Sequence, residues 1–272
     1  MSFFKQFPLV DYDISLDGTL TKMINIFRSV RPVKSFVDDS SLYSFYEIKN
    51  GERPDIVSQQ LYGSSEFYWT FFVINEFLHD GYKVWPMSQE QLYKYVEEEY
   101  NGYALSTRVS FIDSTIQNSI AGLFEIGETI TGSASGASGT LTKKNIDLNQ
   151  LIVQNMNSSA VFQGRRDDGT PNTPAETITG SKSFNDVSTF ELWPYAEAPH
   201  HYYILDNKGI EREYTSQSHI LDEENATVAA DLKYISNRQY VYKQNDQRSK
   251  IRVINPNAIG EFVDRFEKLI NE

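Results

Sequence analysis

Four histidines are the only imidazoles in this chain of 272 residues, and their spacing decides what metal or acid–base chemistry is open to it. His200 and His201 are adjacent, so a strand points them to opposite faces, and His79 and His219 have no partner four residues away. That pattern fits surface or hydrogen-bonding histidines better than a zinc site. There is no cysteine, hence no thiolate ligand and no disulfide, which suits assembly in a reducing cytoplasm. The glycines of "GSASGASG" (132–139) lack the Lys–Ser/Thr ending that a phosphate-cradling loop needs, so the run reads as a flexible turn. The acids of "EEEY" (97–100) are contiguous, whereas acid–base catalysis needs separated carboxylates in one cleft. "RRDDG" (165–169) reads as an exposed loop. No nucleophile elbow or dinucleotide fingerprint occurs. These residues imply a protein that is not an enzyme, with no catalytic residues, no metal and no cofactor.

The composition narrows the partners. A net charge of −12 argues against nucleic acid or an anionic membrane, both of which need a basic footprint. With 40% hydrophobic and 14% aromatic residues, the chain can bury real cores. Its longest apolar run, "FYWTFFVINEFL" (67–78), is interrupted by Asn75 and Glu76 and falls short of the roughly 20 residues a membrane span requires. "MSFFKQFPLVDYD" is broken by Pro8 and Asp11 before a signal-peptide core develops. The expectation is a soluble, non-exported protein.

The elements that must position any functional surface follow from periodicity. Residues 1–42 alternate apolar and polar over "FFKQFPLVDYDI", then give a short amphipathic piece stopped by Pro32, as in an extended arm. "FYEIKNG" is a strand running into a turn. Pro54 suits the first turn of a helix whose stripe is Ile56, Val57 and Leu61, with Gly63 as its C-cap. Ser64 or Ser65 caps a second helix carrying Phe67, Tyr68, Trp69, Phe71, Phe72, Val73, Ile74 and Phe77, apolar on nearly every side. One face of it exceeds what the strand and first helix can cover. "VWPMS" (84–88) is expected as a second strand, completing β-α-α-β. From 105 to 189 Ser, Thr, Gly, Ile and Val favour short strands, and "GETITGSAS" (127–135) is echoed by "AETITGSKS" (175–183), read as two equivalent strand-and-turn corners. "HYYILDNKGIEREY" reads as a hairpin. "NAIGEFVDRFEKLINE" places Ile259, Phe262, Val263, Phe266, Leu269 and Ile270 at helical spacing after Pro256.

Residues 45–88 resemble a LysM domain: a strand, the turn "NGERP", two helices, Ile74–Asn75 closing the second, and a last strand containing Pro86. "MSFFKQFP", "GERPDIVSQQLYGSSEFYWTFFVIN…WPMS" and "NDQRSKIRVINPNAIGEFVDRF" together resemble the LysM-containing baseplate wedge protein of contractile-tailed phages, the gene product 53 family. The likeness covers about 1–100 and 190–272 and leaves out the insert. Residue pattern and resemblance together lead to an expected α+β fold with four parts: an N-terminal arm (1–42), a LysM-like βααβ domain (43–100), an inserted small β-barrel-like module (105–189) read from its own strand and turn pattern, and a C-terminal hairpin, strand and amphipathic helix (190–272). The resemblance implies a virion structural protein of the tail baseplate, assembled in the host cytoplasm, which joins neighbouring wedges and whose partners are other wedge subunits and neighbouring wedges. The interface residues it implies are Tyr68, Trp69, Phe72, Val73, Phe77, Phe262, Phe266 and Leu269, with the terminal segments ordering against a partner or against the C-terminal hairpin. The alternative is a peptidoglycan-binding LysM module accessory to a cell-wall-degrading enzyme. Peptidoglycan is the less favoured partner, because Arg53–Pro54 departs from the usual sugar-binding loop and residues 105–272 show no catalytic constellation.

Overall fold

The structure, a computed structural model, describes residues 7–25, 41–107, 120–157, 159–164, 174–205, 209–214 and 233–271. Strands β1 (Leu9–Tyr12), β2 (Thr21–Ile24) and β3 (Tyr43–Glu47) precede helices α1 (Pro54–Tyr62), α2 (Trp69–Ile74) and α3 (Gln89–Glu99). Next come β4 (Tyr103–Thr107), the helical turn α4 (Ile120–Leu123), β5 (Thr129–Gly132), β6 (Ser138–Asn145), β7 (Gln150–Gln154), β8 (Thr177–Gly180) and β9 (Asp186–Pro194). The chain continues through β10 (Pro199–Leu205), β11 (Glu211–Tyr214), β12 (Lys233–Ser236), α5 (Asn237–Ser249), β13 (Lys250–Ile254) and α6 (Ile259–Asn271). Two compact units result, residues 1–92 with 243–272, and residues 93–242. The segment expected as one C-terminal part, 190–272, is thus shared between them. The Pro32 stop, the "RRDDG" loop and His219 lie outside the described residues.

In the first unit β3 pairs antiparallel with β13, Tyr43 opposite Ile254 and Glu47 opposite Lys250. The strand expected at Val84–Ser88 does not form. Pro86 has no N–H for a ladder, and Trp85 is drawn into the core, its indole N–H donating to the Glu52 carbonyl at 2.7 Å. "KIRVI" takes that place because its alternation puts Ile251 and Val253 on the core face. Helix α1 begins at Pro54 and ends at Gly63, whose φ of +71° suits glycine and whose N–H bonds the Gln59 carbonyl. Val57 is fully buried, but Ile56, about 100° round the helix from it, is exposed and does not join the stripe.

The expected second helix is not continuous. Ser64 caps a 3₁₀ turn (Ser65–Phe67), its hydroxyl accepting from the Glu66 N–H, α2 follows, and Glu76–Leu78 forms another 3₁₀ turn. This segmented path sends consecutive rings into different clusters. Trp69 joins Phe262, Phe266 and Ile270, while Phe71 joins Val57, Leu78, Trp85 and Ile251. Asn75, buried at the end of α2, donates to the Phe71 carbonyl at 2.8 Å. The same side chain takes both backbone groups of Arg252, accepting its N–H and donating to its C=O, each at 2.9 Å. One amide thereby ends a helix and closes the outer edge of β13.

The second unit contains a closed barrel in the order β4-β7-β6-β5-β8-β9, with Leu105, Ile130, Leu141, Leu151, Ile178 and Leu192 inside. A separate sheet runs β11-β10-β12. The two echoed sequences are antiparallel neighbours in the barrel, Thr131 facing Thr179. Each supplies a buried carboxylate to the turn of the other. Glu128 accepts from the N–H groups of Lys182 (2.9 Å) and Ser183 (3.0 Å) and from the Ser183 hydroxyl. Glu176 accepts from the N–H groups of Ala134 (3.1 Å) and Ser135 (2.9 Å) and from the Ser135 hydroxyl. Glycine is required beside each: a Cβ on Gly132 would lie 2.6 Å from Glu176 Oε2, and one on Gly180 the same distance from Glu128 Oε2. Burial pushes the Glu128 carboxyl up, but the N–H groups of Ser183, Lys182 and Glu125 and the Ser183 hydroxyl outweigh it, leaving the group below its ordinary range.

Because that folded-state value is lowered, the carboxylate contributes stability above the unfolded-chain value of about 4.3 and loses it as pH falls through the lower folded value. Glu128→Gln is therefore expected to cost about 1–3 kcal/mol at neutral pH, since an amide turns a donor toward N–H groups. The substitution should also flatten the acid limb of the stability profile, read by denaturant melts from pH 7 to about pH 3. In the first unit, Trp69→Ala empties the centre of a cluster and is expected to cost about 3–5 kcal/mol by the same melts.

Candidate assembly interface

The eight residues that the family resemblance implies for an interface fall into three groups. Trp69, Phe262 and Phe266 are buried in one cluster, with ring centroids 4.8 Å apart for Trp69–Phe266 and 6.1 Å for Trp69–Phe262. Trp69, expected at an interface, and Phe262 and Phe266, expected against a partner or the C-terminal hairpin, instead bury one another, so that the Trp69 side of α2 is covered by α6 of the same chain. The physical cause is the α6 stripe, whose Phe262, Phe266 and Ile270 recur at helical spacing and match the Trp69 side of α2. Tyr68, Phe72, Val73 and Leu269 are half-buried, each with part of its surface available. Phe77 stands 49% exposed in the turn after Asn75.

Other residues present more surface. Tyr82 is exposed and leans on Phe72, ring centroids 5.5 Å apart. Phe45 is 74% exposed on the outer face of the β3–β13 sheet, and strand alternation against the inward Tyr46 is the signal that locates it. The β1–β2 hairpin exposes every residue of both strands. Its connecting turn is held by Asp13, which accepts the N–H of Gly18 at 2.8 Å, and by Asp17, which accepts the N–H of Thr19 at 2.8 Å. The amphipathic piece expected from Thr19 onward is thus a strand over Thr21–Ile24 where it is described.

The second unit holds a cleft of about 980 Å³ lined by Tyr100, Lys143, Asp147, Tyr195, His200 and His201 among others. The ladder between β10 and β12 shifts register between Pro199 and His201, and this irregularity breaks the alternation expected of the two histidines. Their Nδ1 atoms approach to 2.9 Å, and the His200 ring stacks on Tyr240 at 3.7 Å. Lys143 is paired with Glu99 at 2.9 Å, and Lys144 donates to the Phe124 carbonyl. Burial pushes the Tyr100 phenol up to about 12, with the neighbouring Tyr95, Tyr195 and Glu99 adding to it, so the phenol is neutral at physiological pH. Among the described residues, no three His, Asp or Glu side chains are grouped to hold a metal ion.

No curated protein matches the chain. Residues 1–111 match the family model described as base plate wedge protein 53, a span that takes in the hairpin, β3 and the aromatic segment and stops after β4. The match covers less than half of the chain and shows that this first part is similar to baseplate wedge proteins.

Proposed function

We propose that this protein joins neighbouring wedges of a phage tail baseplate through protein–protein contacts of its first unit and terminal segments, without catalysis. The observation that carries the reading is the family match over residues 1–111, which coincides with the part of the chain presenting Phe45, Phe77, Tyr82 and the hairpin. A LysM-like arrangement is supported by α1 and α2 following β3 in sequence and by an antiparallel partner for β3, which is β13 instead of Val84–Ser88. Its partners are other wedge subunits, and its acidic charge disfavours nucleic acid and anionic membranes. Assembly takes place in the host cytoplasm.

The test separates surface from core. Phe77→Asp with Tyr82→Asp alters exposed positions, so the double variant is expected to keep the wild-type melting profile while its incorporation into baseplates falls by about tenfold or more, an interface loss of at least ~1.4 kcal/mol. Particle counts from phage carrying the variant provide the measurement, and wild-type incorporation would sink the reading. A pull-down on insoluble peptidoglycan tests the alternative, and retention there would favour a glycan-binding role.

A further inference from the structure

The two-stranded β3–β13 sheet has two outer edges, and among the described residues only the β13 edge has backbone groups met. Along β13 the outward backbone groups of Arg252 are taken by Asn75. The phase of the ladder follows from its ends, where Ile48 N–H bonds the Ser249 carbonyl at 2.8 Å and Asn255 N–H bonds the Leu42 carbonyl at 2.9 Å. Ser44 and Tyr46 therefore turn their backbone groups toward β13, while Tyr43, Phe45 and Glu47 turn theirs outward. Among the described residues, no hydrogen bond reaches the backbone of Phe45 or Glu47. Such an edge is a template for another strand.

The side chains beside that edge specify what it accepts. Phe45 lies exposed opposite Arg252. The Arg252 guanidinium reaches across β3 to 5.1 Å from the Tyr43 ring centroid and makes no ion pair among the described residues. A complementary antiparallel strand therefore carries an apolar residue opposite Phe45 and, two residues later, an acid opposite Tyr43.

The chain itself contains such a strand. In the hairpin, Asn25 N–H bonds the Pro8 carbonyl at 2.9 Å, which fixes the phase so that Val10 and Tyr12 face β2 while Leu9 and Asp11 turn their backbone groups outward. Leu9 is 63% exposed, and Asp11 is exposed with no partner among the described residues. Laid antiparallel on β3, Leu9 opposite Phe45 brings Asp11 opposite Tyr43, beneath Arg252, and the outward groups of the two strands meet in phase. We propose that β1 of a second copy of this chain adds to the free edge of β3. Each copy then gives one strand edge and accepts another, a head-to-tail contact that closes into a ring or propagates along a row. The inference stands apart from the baseplate reading, since it concerns only copies of this chain.

The absence of cysteine makes a clean test possible. Purified full-length Leu9→Cys is mixed with full-length Phe45→Cys under mild oxidation. A hydrogen-bonded antiparallel pair has Cα atoms about 5.5 Å apart, inside the range of a disulfide. The mixed disulfide is expected to form several times faster than with the out-of-register partner Glu47→Cys. Adding Arg252→Asp to the Phe45→Cys chain should slow it, and adding Asp11→Arg to the Leu9→Cys chain should restore it. Melting curves establish that each variant is folded. Equal rates for the two registers, or failure of the reversed charges to restore the rate, would overturn the proposal and leave the β3 edge to a different protein.

Discussion

The pairing of β3 with β13 is the constraint on which the first unit depends. It joins strands separated by most of the chain, so its loop-closure cost is met before any local contact repays it. The return comes through what β13 brings with it. Ile251 and Val253 enter the cluster around Phe71 and Trp85, and Ile254 enters the cluster around Trp69, so one strand supplies both cores. Pro256 then turns the chain into α6, which covers the remaining side of α2. Without β13, α2 would expose rings on two faces, and residues 1–92 would hold half a core.

Asn75 is the polar counterpart of that arrangement. A buried amide is costly unless its donors and acceptor are met, and here they are met by one helix carbonyl and both groups of one strand residue. Glu128 and Glu176 apply the same device in the barrel, each gathering the N–H groups of a turn on the opposite strand pair. In all three places a single side chain ties together elements that regular backbone pairing leaves separate. Buried polar groups with this many directed bonds disfavour slipped registers, because a shift of one residue would leave each of them unsatisfied.

What could be read in the sequence, and what could not, divides along the same line. Helix α1 was legible from Pro54 and Gly63, α6 from its apolar spacing, and the β10–β11 hairpin from alternation around turn residues, because local chemistry decides each. The partner of β3 was not, since Val84–Ser88 and Lys250–Ile254 both carry strand-like residues and only tertiary packing selects between them. The breaks around α2 were hidden because a segment apolar on all sides has no preferred face to betray its curvature. The echoed "ETITGS" motifs were visible as an echo, but the exchange of carboxylates between them needs the antiparallel contact of β5 with β8. Of the expected interface residues, Trp69 looks surplus in the sequence because α6, whose Phe262 and Phe266 cover it, lies far along the chain.

The closed barrel and the two-stranded ribbons of the first unit treat strand edges in opposite ways, and the difference bears on assembly. The barrel closes on itself through β9 and β4, so none of its six strands offers an edge to solvent. Among its described residues, the first unit divides its strands between two ribbons of two, each of which leaves edges. One of those edges is sealed by Asn75, which shows that the fold can close an edge with a single side chain. The β3 edge carries no such seal among the described residues. It instead carries an exposed ring, Phe45, where edge strands usually carry a charge or a proline that discourages pairing. Among the described residues, the barrel therefore closes its strands to lateral pairing, whereas the β3 edge combines unpaired backbone groups with an apolar ring that favours a strand laid beside it.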